Sequence, residues 1–180
     1  MKSTGIIRRI DELGRIVIPK EIRRTLRLRE GDPMELFVDQ DGVVFKKYSP
    51  LGEFKGIAEE FVDVLYKKIY STTLICDKDI IIAASNLKNS YLEAPISKEL
   101  SDSLDSRSTK IYTSGISIID NGQDNTKSCL VVPIIAEGNP VGGIIVFKDE
   151  INDVDKMAVE VVCAYIAKQL ESWVHRNVVW

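Results

Sequence analysis

The sequence predicts two domains of different class: a short, β-rich N-terminal module that a second copy of the chain completes, and a larger α+β domain. Three observations predict this. First, the charge changes sign along the chain. Residues 1–50 carry 11 basic and 8 acidic side chains and residues 51–180 carry 13 and 19, within a total of −3. Second, Ser49-Pro50-Leu51-Gly52 interrupts regular structure, which puts a linker there and gives domains of 1–52 and 53–180. Third, short alternating runs fill the front of the chain, whereas long helical periodicities and apolar runs fill the rest.

The front module is readable element by element. Gly5 to Ile10 reads as a strand, Asp11-Glu12-Leu13-Gly14 as a turn and Arg15 to Ile18 as a second strand. Pro19 suits the first position of a helix, where its missing N–H is no loss. Lys20 to Leu26 then makes about two turns with Ile22 and Leu26 facing inward. Gly31-Asp32-Pro33 ends it. Met34 to Val38 and Val43 to Tyr48 form a hairpin around Asp39-Gln40-Asp41-Gly42. Four short strands and one short helix bury too little surface to stand alone, and no cysteine or metal-ligand set staples them. A two-fold dimer supplies the missing core and makes the basic face symmetric.

That face is strongly cationic. Residues 1–30 hold nine basic side chains against four acidic ones. A basic end on an acidic chain is the electrostatic footprint of a polyanion partner. Arginine suits phosphate because its guanidinium is planar, permanently charged and forked. Strand alternation sends Arg8 and Arg9 to opposite faces. Arg15 opens the second strand, and Arg23 and Arg24 end the helix. A plainer role exists for the last two, since basic residues in a final turn also complement the helix dipole. Arg27 and Arg29 read as solvated.

The run GIIRRIDELGRIVIPKEIRRTLRLREGDPMELFVD, and within it LGRIVIPKEIRRTL, resembles the swapped-hairpin domain of the AbrB family of bacterial transition-state regulators, a fold shared with MazE antitoxins. The resemblance implies that two chains interleave their hairpins into one unit that binds double-stranded DNA. It implies Arg8, Arg15, Arg23 and Arg24 as the DNA contacts; Arg9, Lys2 and Lys47 complete the candidate set. It also implies a GAF-like second domain and a homotetramer in which GAF dimers join two DNA-binding dimers. The function it implies is transcription regulation of late sporulation genes, both activating and repressing, on the nucleoid of a bacterium. With so short a helix, recognition is expected to tolerate sequence and to read DNA shape. The alternative is an antitoxin-like interaction protein; the folded, amphipathic character of the C-terminal part speaks against it.

In the second domain, Phe54 to Ile69 has helical periodicity, Thr73 to Cys76 and Ile80 to Ala84 read as strands around Asp77-Lys78-Asp79, and Ser97 caps a helix to Ser106. Lys110 to Thr113 and Ile116 to Ile119 read as edge strands. Cys129 to Ala136 and Val141 to Phe147 form a hairpin around Glu137-Gly138-Asn139-Pro140, with Gly142-Gly143 at a bulge. A last helix runs from Asn152 to Val174, with Val154, Met157, Ala158, Val161 and Tyr165 inside and Asp155 and Glu160 outside. This order gives an α+β sandwich. The VVPIIAEGNPVGGIIVFKD hairpin is similar to that of GAF domains, which hold small ligands between sheet and helices; Ser85 to Tyr91 and Ser101 to Thr113 are candidate lining segments for an unidentified effector, but their polarity reads more simply as that of solvated loops. Phe61, Leu65 and Tyr66 with Ile166, Leu170 and Trp173 are candidates for an intersubunit bundle, which the resemblance also implies; the alternative is that both helices cover the sheet of their own chain.

Enzyme chemistry is not indicated. Cys76, Cys129 and Cys163 are scattered and read as reduced core thiols, His175 is the single histidine, and no cofactor or metal motif is present. No apolar run approaches the ~20 residues of a membrane span and no signal-peptide core follows the start, so a cytoplasmic protein is expected. If each dimer engages roughly 6–8 phosphates, log K for duplex DNA should fall with log salt at a slope of about −5 to −7, measured by gel shift.

Overall fold

The computed structural model describes residues 5–40, 42–120 and 128–177. The chain divides into two compact units, one up to Tyr48 and one from Ser49 on.

In the first unit, helix α1 spans Lys20–Thr25, and strands β1 (Met34–Asp39) and β2 (Gly42–Lys47) pair antiparallel from Met34↔Lys47 to Asp39↔Gly42. Pro19 is the N-cap rather than the first helical residue, and its carbonyl accepts from the Arg23 N–H at 3.0 Å. The helix ends in a Schellman motif: Leu28 N–H donates to the Arg23 carbonyl (2.8 Å), Arg27 N–H to that of Arg24 (3.3 Å), and Arg27 takes the left-handed conformation usual for glycine, φ 52°. Among the described residues, Gly5–Ile10 and Arg15–Ile18 form no strand, contrary to expectation. Their turn is closed by Asp11 N–H donating to the Arg15 carbonyl at 3.0 Å.

None of the described residues 5–48 is buried. Ile7 is 88% exposed, Val17 72% and Val38 83%, and Ile10, Leu13, Leu36 and Phe45 stand open as well. Leu26, expected inside, is also exposed, while Ile22 is half-buried.

The second unit has a proper core. A 3-10 turn at Pro50–Phe54 buries Leu51 and Phe54, so the stretch expected as a linker belongs to this unit. Helix α2 (Lys55–Ile69) follows, then β3 (Thr73–Asp77), β4 (Ile81–Ala84), the short helix α3 (Lys88–Tyr91), α4 (Lys98–Asp105), β5 (Lys110–Tyr112), β6 (Cys129–Ala136), β7 (Asn139–Phe147) and α5 (Asp153–Asn177). The strands form one antiparallel sheet in the order β4-β3-β7-β6-β5. Its apolar strands are nearly continuous because both faces are covered. Ile75, Leu130, Val132, Ile144 and Val146 share a core with α2 and α5. Leu74, Cys76, Val131, Ile145 and Phe147 share one with α4 and the 116–119 segment. All three cysteines are buried free thiols; burial pushes Cys129 up to about 11 and the other two higher, so none is a ready nucleophile.

Several details depart from the sequence reading. Ile116–Ile119 forms no strand; it makes one bridge, Ile96↔Ile119, and plugs the core with Ile116 and Ile118. Ser85–Tyr91, read as loop, contains α3. The β6–β7 turn is tighter than expected, with Glu137 (φ 48°) and Gly138 (φ 76°) between paired Ala136 and Asn139, the two-residue loop that matches strand twist. The bulge falls at Val141, beside the glycine pair. The glycines themselves answer to crowding: a Cβ on Gly142 would come within 2.1 Å of the Cys76 carbonyl, and one on Gly143 within 2.4 Å of Leu104 Cδ2.

Helix α5 is rotated from the expected setting. Val159, Cys163, Ile166, Ala167 and Leu170 face the sheet, whereas Val154, Met157, Val161 and Tyr165 are exposed. The cause lies at its start. Asn152 Oδ1 accepts from Asp155 N–H (2.8 Å) and Asp155 Oδ2 from Asn152 N–H (3.2 Å), a reciprocal cap. Asp155 Oδ2 also takes Lys148 Nζ at 2.6 Å, which draws this acid inward. Glu160 is half-buried and accepts from Thr109 Oγ1 at 2.6 Å.

Two glycine substitutions should diverge. Gly142→Ala should destabilise by about 1–3 kcal/mol through overpacking. Gly56→Ala, helical with open space at its Cβ, should stabilise by about 0.5–1 kcal/mol. Urea denaturation of each variant checks both signs.

Candidate nucleic-acid interface

The candidate interface centres on one short turn. Asp11 Oδ1 accepts from the N–H groups of Leu13 (3.0 Å) and Arg15 (2.8 Å), and Gly14 N–H returns to the Asp11 carbonyl (2.9 Å) with Gly14 at φ 74°. Aspartate starts such turns because its short side chain reaches the backbone just ahead of it. Asp11 Oδ2 then takes Arg15 Nε at 2.8 Å. That bond uses one edge of the guanidinium and fixes its plane. The Arg15 side chain stays 70% exposed, with donor groups left for another anion. The backbone N–H of Arg15, and next its guanidinium, hold the Asp11 carboxyl below the ordinary aspartate value.

The remaining candidates fall into two groups. Arg8 and Arg9 lie exposed on the extended segment before this turn, and Arg23 and Arg24 lie exposed on the last turn of α1. Successive helical residues diverge by about 100°, so this pair fans outward. Lys47 is different. Its Nζ is 3.0 Å from Asp32 Oδ2 and 3.3 Å from the Arg27 carbonyl, with the side chain only 19% exposed. Asp32 in turn accepts from Arg29 N–H at 2.8 Å. Lys47 therefore ties β2 to the end of α1 and does not stand with the open arginines. Lys2 lies outside the described residues. From sequence alone, Asp11 has a place in the turn but no assigned role. An aspartate ahead of a glycine-closed turn is the signal that could have given it one. Nothing in the sequence marks Arg27 for a left-handed position.

In the second unit, all but one of the candidate bundle residues pack inside one chain; Tyr66 is 40% exposed. Leu65, Ile166 and Leu170 are buried, and Trp173 packs edge-on against Phe54 at 6.1 Å. The exposed stripe is instead Val154, Met157, Val161 and Tyr165 on α5. It continues onto α2 through a Phe61–Tyr165 ring contact at 5.7 Å to Ile57 and Val64. Among the described residues no helix is long and apolar enough to cross a membrane, and no cluster of acidic, histidine or cysteine side chains could hold a metal.

Comparison with known proteins follows this division. Residues 53–171 match the family described as stage V sporulation protein T C-terminal, transcription factor, and residues 7–51 match antidote-toxin recognition MazE, bacterial antitoxin. Stage V sporulation protein T of Bacillus subtilis (strain 168) is 48% identical over 177 residues, 95% of this chain and 99% of that protein.

The chain belongs to the stage V sporulation protein T family.

It is thus a transcription regulator of the sporulation type, not an enzyme. The front module is also similar to that of a shorter regulator: transition state regulatory protein AbrB of the same organism is 58% identical over 50 residues, 28% of this chain and 52% of that protein. The second unit has the GAF fold. The GAF domain of an Acinetobacter phosphoenolpyruvate-protein phosphotransferase superposes with a TM-score of 0.58 at 10% identity, over 70% of this chain and 86% of that one. The antitoxin alternative is not favoured, because the relative that matches almost end to end is a sporulation protein.

An NMR pH titration should find the Asp11 carboxyl below the ordinary aspartate range. Arg15→Ala should raise it only part of the way, since the backbone N–H remains. The folded value is the lowered one. The turn's contribution should therefore be complete above the unfolded pKa and be lost as pH falls through the folded one.

Proposed function

We propose that residues 5–48 pair with the same residues of a second copy to make one DNA-binding unit. The observation that carries this is a cationic module that exposes apolar side chains along both its extended segments and its hairpin, with none of its described residues buried. The extended 5–10 and 15–18 segments, which form no strand among the described residues, are the natural strands to exchange. Arg8, Arg15, Arg23 and Arg24 then contact the duplex, with Arg9 beside them. Their exposure and the absence of a long recognition helix support phosphate and shape readout, tolerant of sequence and favouring AT-rich sites.

The second unit sets oligomer geometry and responds to a small ligand. The stripe of Val154, Met157, Val161 and Tyr165, joined to Ile57 and Val64, has the spacing of a helix–helix seam and supports a dimer through this unit, hence a tetramer. Two linked DNA modules gain avidity on long or repeated sites. In this reading the protein acts on the nucleoid in the cytoplasm, activating some late sporulation genes and repressing others.

Gel shifts over a salt series test the arginines. Each of Arg8→Ala, Arg15→Ala, Arg23→Ala and Arg24→Ala should weaken binding and lower the salt slope by about 2 per dimer, with the module still paired. Lys47→Ala should instead lower stability. An unchanged slope in all four arginine variants rejects the assignment. Sedimentation of Val161→Asp/Tyr165→Asp should give dimers where the wild type gives tetramers; a wild-type mass that does not change removes the seam.

A further inference from the structure

A cleft of about 800 Å³ opens at the end of the sheet where α2 runs into β3 and β7 runs into α5. It includes Asn86, Leu87 and Tyr91 from the first lining segment expected from sequence and nothing from the second, Ser101–Thr113. The face of the sheet under α4 is filled by Leu100, Leu104, Ile116 and Ile118, so this cleft, and not that face, offers the room.

Its walls are aromatic. Tyr66 and Tyr70 stand at the end of α2, and Tyr91 packs on Phe147 with ring centroids 5.9 Å apart. Tyr70 caps α2 in the left-handed conformation (φ 56°), where glycine is the ordinary choice, and its side chain is turned out of the core, 85% exposed. Folding therefore gives no reason for a tyrosine there.

The charge of the cleft is one-sided. Lys148 lines it, but its ammonium is held by Asp155 at 2.6 Å. Asp149 and Glu150 also line it, and among the described residues neither is paired. Two open carboxylates beside π faces attract cations. A hard metal ion wants six or more oxygens, and no acidic cluster of that kind is present among the described residues. Rings bind the apolar, diffusely charged surface of an organic cation instead.

We propose that this cleft binds a small alkylammonium ion, its charge facing Asp149 and Glu150 and its carbon surface lying on Tyr66, Tyr70 and Tyr91. The proposal rests on the reading of the second unit as the ligand-responsive part and gives that ligand a class and a place.

The test is calorimetric titration of the full chain, without DNA, with spermidine and with tetramethylammonium. Both should bind saturably, while tert-butanol, a neutral molecule of similar bulk, should not. Tyr70→Gly suits the backbone there and should weaken binding about 2- to 5-fold. Asp149→Asn/Glu150→Gln should weaken it about 2- to 10-fold. Absence of saturable binding below about 10 mM overturns the proposal. So does equal displacement by Mg²⁺, which would reduce the site to its carboxylates, and so does wild-type affinity in both variants. Because DNA is left out, a failure here leaves the arginine assignment standing, and a failure there leaves this one.

Discussion

Apolar surface that one chain cannot bury is the constraint on which the first unit depends. Ile6, Ile7, Ile10, Ile16 and Val17 stand exposed outside the assigned strands, and β1 and β2 show Leu36, Val38, Val43 and Phe45 to solvent. At roughly 25 cal/mol per Å², such surface disfavours a solitary module and rewards any partner of matching shape. The polar ties described within the unit sit at its corners: the Asp11 turn, the Schellman end of α1, and the Lys47–Asp32 bridge from β2 back to the end of α1. They fix conformations without supplying a core. A module of this kind presents rigid corners and leaves its interior to be made by association, so that pairing and display of the arginines become one event.

The second unit solves the same problem alone. Its sheet is covered on both faces, and the strand alternation sends Ile144 and Val146 to one core and Ile145 and Phe147 to the other. Two places show how tightly the layers meet: Gly142 against the β3 backbone and Gly143 under Leu104. Ser49 Oγ donates to Asp77 Oδ2 at 2.8 Å, and Asp77 also accepts from the N–H groups of Asp79 and Ile80. The first residue of this unit is thereby fastened to the β3–β4 turn.

Much of this was legible beforehand. The β1–β2 hairpin, the Ser97 cap with its 3.0 Å bond from Leu100 N–H, the β6–β7 hairpin and the α+β order follow from short-range rules. The setting of α5 was not legible. Apolar residues occupy most of its circumference, so periodicity could not choose between the Val154–Tyr165 stripe and the Val159–Leu170 stripe. Asp155 looked like a surface residue until Lys148 and Asn152 were seen to hold it. Lys47 likewise looked like a phosphate contact until Asp32, fifteen residues earlier in the chain, claimed it.

By itself the sequence determined what depends on near neighbours and on composition: where chain direction changes, which segments are extended or helical, that the front is cationic, and that it is too small to hold a core. Only the tertiary structure decided which of two apolar faces turns inward, which charges are consumed by internal pairs, and where space is left beside the sheet. The reason is that these outcomes are contests between groups far apart in sequence. A periodicity or a charge count registers each competitor, but only the packed arrangement, with its distances, settles which one wins.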